Sequence, residues 1–162
     1  MRADPIERRV IDHLDMLGAR YEIVECDPAS ADTAAFCERY GYPPEISANA
    51  IVVASRKPPG HRALCLALAT GRLDVNHTVR ELLGVRRLSF ASPEATIEAT
   101  GMAIGGVTPF GVPGGLPVFV DNRITALDRC VVGGGSRAMK VVVDPEVFGR
   151  MDGVSVVAGL AT

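Results

Sequence analysis

The sequence predicts an α+β (mixed α/β) fold, in which a mixed, mostly antiparallel sheet carries flanking helices. Helical and strand-like segments are interleaved without strict βαβ alternation, and several apolar runs follow one another like the strands of hairpins. The chain has 162 residues, which suits one well-buried core, and it contains no internal repeat. We therefore expect residues 1–162 to form a single compact domain.

The first half of the chain opens with a helix signal. Asp4 can cap the helix, Pro5 suits its first turn, Glu7 can bond back to the cap, and Gly18 ends an apolar stripe of helical spacing. The next predicted elements are a strand at 21–26, a helix at about 32–40 closed by Gly41, paired strands at 50–54 and 63–69 around a Pro/Gly turn, and a helix at 74–83.

The second half predicts shorter elements around a glycine- and proline-rich loop. They are a strand at 88–91, a helix at 93–100 that stops at Gly101, the loop at about 102–116, strands at 117–121, from about 130 and at 139–143, and a final helix opened by Asp144-Pro145-Glu146. A loop this rich in glycine inside a folded chain is typical of a functional segment.

Composition excludes several classes of protein. The formal charge of −2 gives no basic footprint for tight nonspecific binding to DNA or RNA. The four cysteines lack CxxC spacing and the three histidines do not cluster with them, so we expect no metal. No dinucleotide or Walker fingerprint is present, so we expect no cofactor and disfavour an oxidoreductase. A polar N-terminus and the lack of a run of about 20 apolar residues predict a cytoplasmic protein without a membrane contact.

An ordered set of motifs resembles the YbaK/prolyl-tRNA-synthetase-associated editing family, from Tyr21 to about Phe148. The motifs are Leu73-Asp74-Val75, Leu82-Leu83-Gly84, Ala91-Ser92-Pro93-Glu94, Thr100-Gly101, Gly105-Gly106-Val107-Thr108-Pro109-Phe110-Gly111, Leu116-Pro117-Val118-Phe119-Val120-Asp121 and Val132-Gly133-Gly134-Gly135-Ser136-Arg137. The resemblance implies a compact mixed-sheet domain that hydrolyses, without a metal, the ester between a wrong amino acid and tRNA.

The resemblance also implies a set of site residues. The candidates for catalysis are Asp121, Asn49, Gly105 and Gly106, and the candidates for substrate binding are Val107, Thr108, Pro109, Phe110, Gly111, Gly133, Gly134, Gly135 and Ser136. Glycines let backbone N–H groups approach a developing oxyanion, and Asp121 can orient water or bind the α-ammonium. Without the resemblance, the first loop is equally a tight packed turn, Gly133 to Gly135 a turn joining two strands, and Asp121 a turn residue.

Asn49 is a departure, because the family pattern has a lysine at this position. Asparagine offers only neutral hydrogen bonds, so the charge-assisted part of the interaction is lost. Four other cations could replace that charge: Arg56, Lys57, Arg72 and Lys140.

Two functions follow from these patterns. The first is a freestanding aminoacyl-tRNA deacylase that removes a small amino acid, with the acceptor end of tRNA as a transient partner and an aminoacyl-tRNA synthetase as a second candidate partner. The second is a catalytically silent binding module with the same fold. A Ser-His-Asp hydrolase is disfavoured because the candidate serine and threonine hydroxyls have no convincing His and Asp partners in the sequence.

Overall fold

The computed structural model describes residues 2–162. Its α-helices are α1 Pro5–Met16, α2 Thr33–Tyr40, α3 Arg80–Leu83, α4 Pro93–Thr100 and α5 Asn122–Thr125. Its strands are β1 Tyr21–Glu25, β2 Ala48–Lys57, β3 Pro59–Leu68, β4 Arg87–Phe90, β5 Val118–Asp121, β6 Cys130–Gly133, β7 Met139–Val143 and β8 Val154–Val157. Tighter 3₁₀ turns occur at Pro28–Ser30, Pro44–Ile46 and Pro145–Arg150, and a wider π-helical turn occurs at Val75–Val79.

The local capping signals place most helix ends correctly. The Asp4 carboxylate accepts hydrogen bonds from the N–H groups of Ile6 and Glu7, which begins α1. Gly41 and Gly101 end α2 and α4 in the left-handed conformation that glycine adopts without strain. Glu7 does not bond back to the cap, contrary to expectation; its carboxylate is buried and contacts Arg2 and Ser136 instead.

Other elements differ from the sequence prediction. The helix predicted at 74–83 divides into a π-helical turn and the short α3, and the final helix is a 3₁₀ turn. Strands β2 and β3 are ten residues each, because pairing continues through the predicted turn region. Helix α5 and strand β8 have no predicted counterpart. Strand β8 forms by parallel pairing with β5, a contact that sequence patterns do not specify.

Two sheets form the framework, and the mixed α/β fold is confirmed. A three-stranded sheet has the order β1-β7-β6 and is antiparallel, and a five-stranded sheet has the order β4-β2-β3-β5-β8. In the second sheet β3 pairs parallel with β5 and β5 parallel with β8, whereas β2 pairs antiparallel with both neighbours. A parallel bridge between Ser47 and Val131 joins the sheets at one end.

The main core lies between the two sheets and under α1. Leu64 and Leu66 of the larger sheet share one cluster of buried side chains with Val132 and Val141 of the smaller sheet and with Val10 of α1. Burial of this continuous apolar surface is what holds the sheets together. Among residues 2–162, no helix combines the length and apolar character that crossing a membrane requires.

Candidate functional site

A cleft of about 320 Å³ opens beside the point where the two sheets join. Strand β2 supplies one wall, and the other walls are the paired residues Gly133 and Lys140, the loop before Val107, and the turn before α2. Its lining residues are Ala31, Asp32, Thr33, Ala48, Asn49, Ala50, Ile51, Val52, Ala91, Thr96, Ile104, Gly105, Val107, Gly133 and Lys140. A volume near the lower limit for ligand pockets suits a small group.

Asn49 lies in the wall formed by β2, where a hydrogen bond fixes its side chain. The Thr33 hydroxyl donates to Asn49 Oδ1 over 2.5 Å. The Nδ2 group of the same side chain has no hydrogen-bond acceptor among the described residues. The side chain therefore offers neutral N–H donors to a molecule in the cleft.

The loop opposite Asn49 offers backbone donors. Gly105 and Val107 line the cleft, and the N–H groups of these two residues donate to no acceptor within residues 2–162. The N–H of Gly106, in contrast, donates to the Ala103 carbonyl over 2.9 Å and is not free for a ligand. Two uncommitted amides in a concave site are the kind of donor that stabilises an oxyanion.

Two glycines allow this loop to sit where it does. A Cβ on Gly133 would stand 2.3 Å from the Val107 carbonyl oxygen, and a Cβ on Gly106 would stand 2.7 Å from the Ser136 backbone. Neither position therefore admits a side chain without moving backbone. The loop can touch strand β6 and the segment that follows it only because both contact points lack a Cβ.

Arg137 holds the outer side of the loop. Its guanidinium donates to the carbonyl oxygens of Ile104 at 2.9 Å and Pro28 at 3.1 Å, and to the Asp32 carboxylate at 3.3 Å. These bonds connect the loop to the turn before α2. The two segments that flank the mouth of the cleft are thus fixed relative to each other.

Lys140 contributes the one basic side chain among the described lining residues. Its ammonium donates to the Gly105 carbonyl over 2.8 Å and lies 5.8 Å from the centre of the Phe36 ring. Lys140 is 7% exposed, and burial lowers the pKa of its ammonium group below the ordinary value of 10.5. Of the four cations that could replace the charge missing at Asn49, the structure brings Lys140 to the cleft; Arg56, Lys57 and Arg72 do not line it.

The rest of the predicted loop points away from the cleft. Thr108 and Phe110 are fully buried, and Phe110 stacks on Phe148 with ring centres 5.6 Å apart. Pro109 lines a separate surface cleft, and the N–H of Gly111 donates to His13 Nδ1 over 2.9 Å. These four residues anchor the loop on the core and on α1.

The second glycine segment is divided in the same way. Gly133 lines the cleft, whereas the N–H of Gly135 donates to the Gly106 carbonyl over 2.7 Å and Gly134 packs against the backbone of Met139. The Ser136 hydroxyl donates to the buried Glu7 carboxylate over 2.5 Å. Gly134, Gly135 and Ser136 therefore support the wall without lining it.

Asp121 does not reach the cleft. Asp121 is the last residue of β5 and is 1% exposed. Its Oδ1 accepts a hydrogen bond from the N–H of Arg123, so Asp121 caps the start of α5. Its Oδ2 is buried without a partner among the described residues. In the structure Asp121 therefore acts as a helix cap and is not among the residues that line this cleft.

Sequence reasoning missed Thr33, Thr96 and Ile104 among the lining residues. Nothing in their local spacing marks them, because they come from a helix start, a helix interior and a loop. For Lys140 a signal existed: it is the only charged residue in the apolar strand Met139–Val143. A charge in an otherwise buried strand favours a functional interpretation.

Comparison with known proteins identifies a family whose matched region contains the cleft. The family model described as "Aminoacyl-tRNA editing domain" matches residues 27–151, which include all of the lining residues. The hypothetical protein APE2540 superimposes with a TM-score of 0.84 at 20% identity, covering 95% of this chain and 99% of its own. A protein proposed to be a trans-editing enzyme for prolyl tRNA synthetase gives 0.79 at 23% identity and 99% of both chains.

A third similar structure is a scaffold for epitope backbone grafting by computational design. It gives a TM-score of 0.78 at 22% identity and covers 96% of this chain and 97% of its own. At these identities the structural likeness establishes the fold.

Proposed function

Since this chain belongs to the aminoacyl-tRNA editing domain family, we propose that it is an aminoacyl-tRNA deacylase that removes a small amino acid from mischarged tRNA. One observation carries the proposal. Asn49 lines one cleft together with Gly105 and Val107, whose backbone N–H groups have no acceptor among residues 2–162. The transient partner is then the acceptor end of tRNA, and an aminoacyl-tRNA synthetase is a second partner. The protein acts in the cytoplasm, with residues 1–162 as one catalytic domain.

The arrangement supports ester hydrolysis by positioning. Water adds to the ester carbonyl, and the negative charge that develops on the carbonyl oxygen is met by preorganised N–H donors. Such donors act strongly in a site that excludes bulk water, because the local dielectric constant is low. The proposal assigns the selection of small side chains to the walls of this cleft, as in a double sieve.

A catalytically silent binding module remains the second candidate, and Asn49 is the observation that favours it. The side chain is neutral where the family resemblance implies a lysine, so the cleft could hold an aminoacyl end without accelerating its hydrolysis. The two candidates differ in turnover and not in binding.

Incubation with misacylated tRNAs tests the proposal. The panel contains alanyl- and cysteinyl-tRNAPro and seryl-tRNAs, and ester loss is followed against buffer. We expect hydrolysis of at least one substrate and a loss of about tenfold or more in kcat/KM for Asn49→Ala. Asn76→Ala, at an exposed asparagine outside the cleft, is the matched control and should leave the rate unchanged. Absence of ester loss across the panel would favour the silent module.

A further inference from the structure

Lys140 is placed like a ligand-binding group and not like a structural one. It lies in the middle of the smaller sheet, where its backbone pairs with Val24 on one side and Gly133 on the other. No ion pair within residues 2–162 includes it, and its ammonium has the Gly105 carbonyl as its hydrogen-bond acceptor. A buried ammonium without a carboxylate destabilises a fold, so its presence calls for a reason.

The loop that Lys140 touches does not need it as an anchor. Arg137 already bonds the neighbouring Ile104 carbonyl, and the N–H of Gly106 bonds the Ala103 carbonyl within the loop. On the inner side, Gly135 donates to the Gly106 carbonyl. The backbone around Gly105 is therefore held from three directions without the lysine.

Lys140 also lines the same cleft as the donors that the proposed reaction uses. The Lys140 ammonium donates to the carbonyl oxygen of Gly105, and the N–H of Gly105 has no acceptor among residues 2–162. Lys140 and Gly105 line the cleft together with Asn49. Asn49 is neutral and comes from the larger sheet, whereas Lys140 is charged and comes from the smaller sheet. The site thus has a cation, which comes from a different sheet than the lysine that the family pattern implies at position 49.

We propose that Lys140 is the catalytic cation of this cleft and binds the oxyanion formed on the ester carbonyl during deacylation. This inference rests on the proposed function. A charged donor binds an oxyanion about twice as strongly as a neutral one, so Lys140 supplies the contribution that Asn49 cannot. The Phe36 ring, 5.8 Å from Nζ, keeps that side of the ammonium away from water.

Lys140 stays protonated throughout the reaction and neither gives up nor takes a proton. The water oxygen forms a bond to the ester carbonyl carbon, and the π electrons of the carbonyl move to its oxygen, which becomes the anion beside Lys140. When the carbonyl reforms, the bond from carbon to the ribose oxygen breaks. One proton of the water ends on the ribose oxygen, and the other leaves as the carboxyl group of the free amino acid ionises.

Binding of two analogues tests the proposal separately from turnover. One is a phosphonate analogue of alanyl-adenosine, which carries the tetrahedral anion, and the other is the neutral amide 3′-alanylamino-3′-deoxyadenosine. We expect Lys140→Met to weaken phosphonate binding by about tenfold or more and amide binding by less than about threefold. Lys57→Met, at an exposed lysine outside the cleft, should change neither.

The chain has two lysines, Lys57 and Lys140, so a sample with ¹³C-labelled lysine gives a separate signal for each side chain. The Lys140 Cε signal should shift when the phosphonate binds, and the Lys57 signal should not. Lys140→Gln, which keeps a donor for the Gly105 carbonyl, replaces Lys140→Met if the latter fails to fold.

Equal losses of affinity for the two analogues, or an unmoved Lys140 signal at saturating phosphonate, would overturn the role of Lys140. Failure of the deacylase proposal has a different signature: no tRNA ester is lost, while selective phosphonate binding through Lys140 persists. A double variant, Asn49→Lys with Lys140→Met, should recover phosphonate affinity, because the charge returns to the same cleft.

Discussion

At the scale of single residues, the cleft depends on the absence of side chains as much as on their presence. Gly133 faces the Val107 carbonyl so closely that a Cβ would stand 2.3 Å from it. Val107 contributes one of the uncommitted N–H groups. The position of that group, and with it the shape of the cleft, therefore depends on one missing methyl group in β6.

We expect Gly133→Ala to lower the free energy of unfolding by about 1–3 kcal/mol, because backbone and not a flexible side chain must move. It should also lower ester hydrolysis, since the Val107 amide moves with the loop. Urea unfolding and the alanyl-tRNA assay measure the two effects. Gly114→Ala is the control, because a Cβ there meets nothing within 4 Å. Equal free energies of unfolding for the two variants would contradict the prediction, because the loop would then move without loss of stability.

At the scale of elements, α1 is the part that fixes both glycine segments. Its buried Glu7 accepts from Ser136 beside the second segment, and its His13 accepts at Nδ1 from the N–H of Gly111 at the end of the first. Burial lowers the pKa of His13 below the ordinary value of 6.5. Folding therefore favours the neutral imidazole, which is the form that can accept the Gly111 hydrogen bond.

This bond predicts a stability that depends on pH. Because the pKa of His13 is lower in the folded than in the unfolded chain, its contribution is complete above pH 6.5 and is lost as the pH falls below that value through the folded pKa. We expect His13→Asn, which can still accept from Gly111, to lose less stability than wild type between about pH 7.5 and 5.5. Urea unfolding at both pH values measures it, and identical losses would contradict the assignment.

At the scale of the whole molecule, the cleft exists because two sheets share one core and meet at one bridge. Buried residues from both sheets belong to a single cluster, and the Ser47–Val131 bridge joins the sheets beside the cleft. Neither sheet alone encloses the site: Asn49 comes from the larger one, and Gly133 and Lys140 come from the smaller one.

A shared core predicts that both sheets unfold together. The three tyrosines, Tyr21, Tyr40 and Tyr42, pack with the smaller sheet, and the chain has no tryptophan, so tyrosine fluorescence reports on that sheet. Hydrogen exchange of β3 amides reports on the larger sheet. We expect both probes to give the same free energy of unfolding, as in a two-state transition. Clearly separate values would contradict residues 1–162 acting as one domain.

The sequence by itself determined most helix ends, the family and the loops that approach the site. Caps such as Asp4 and Gly41 act within a few residues, so local chemistry is sufficient to place them. The ordered glycine motifs likewise identified the family to which the chain belongs. Within those motifs, however, the sequence could not say which members face the cleft, because that depends on the direction of each residue in the fold.

Tertiary structure decided the composition of the site. Gly105, Val107 and Gly133 line it, whereas Phe110 turns into the core and Asp121 caps a helix. The sequence offered four cations that could replace the charge missing at Asn49, and the fold selected Lys140, since residues 49 and 140 line one cleft only when two separate sheets pack on one core. The shared core and the bridge between Ser47 and Val131 bring the two sheets together, and no local pattern encodes which sheets pack against each other.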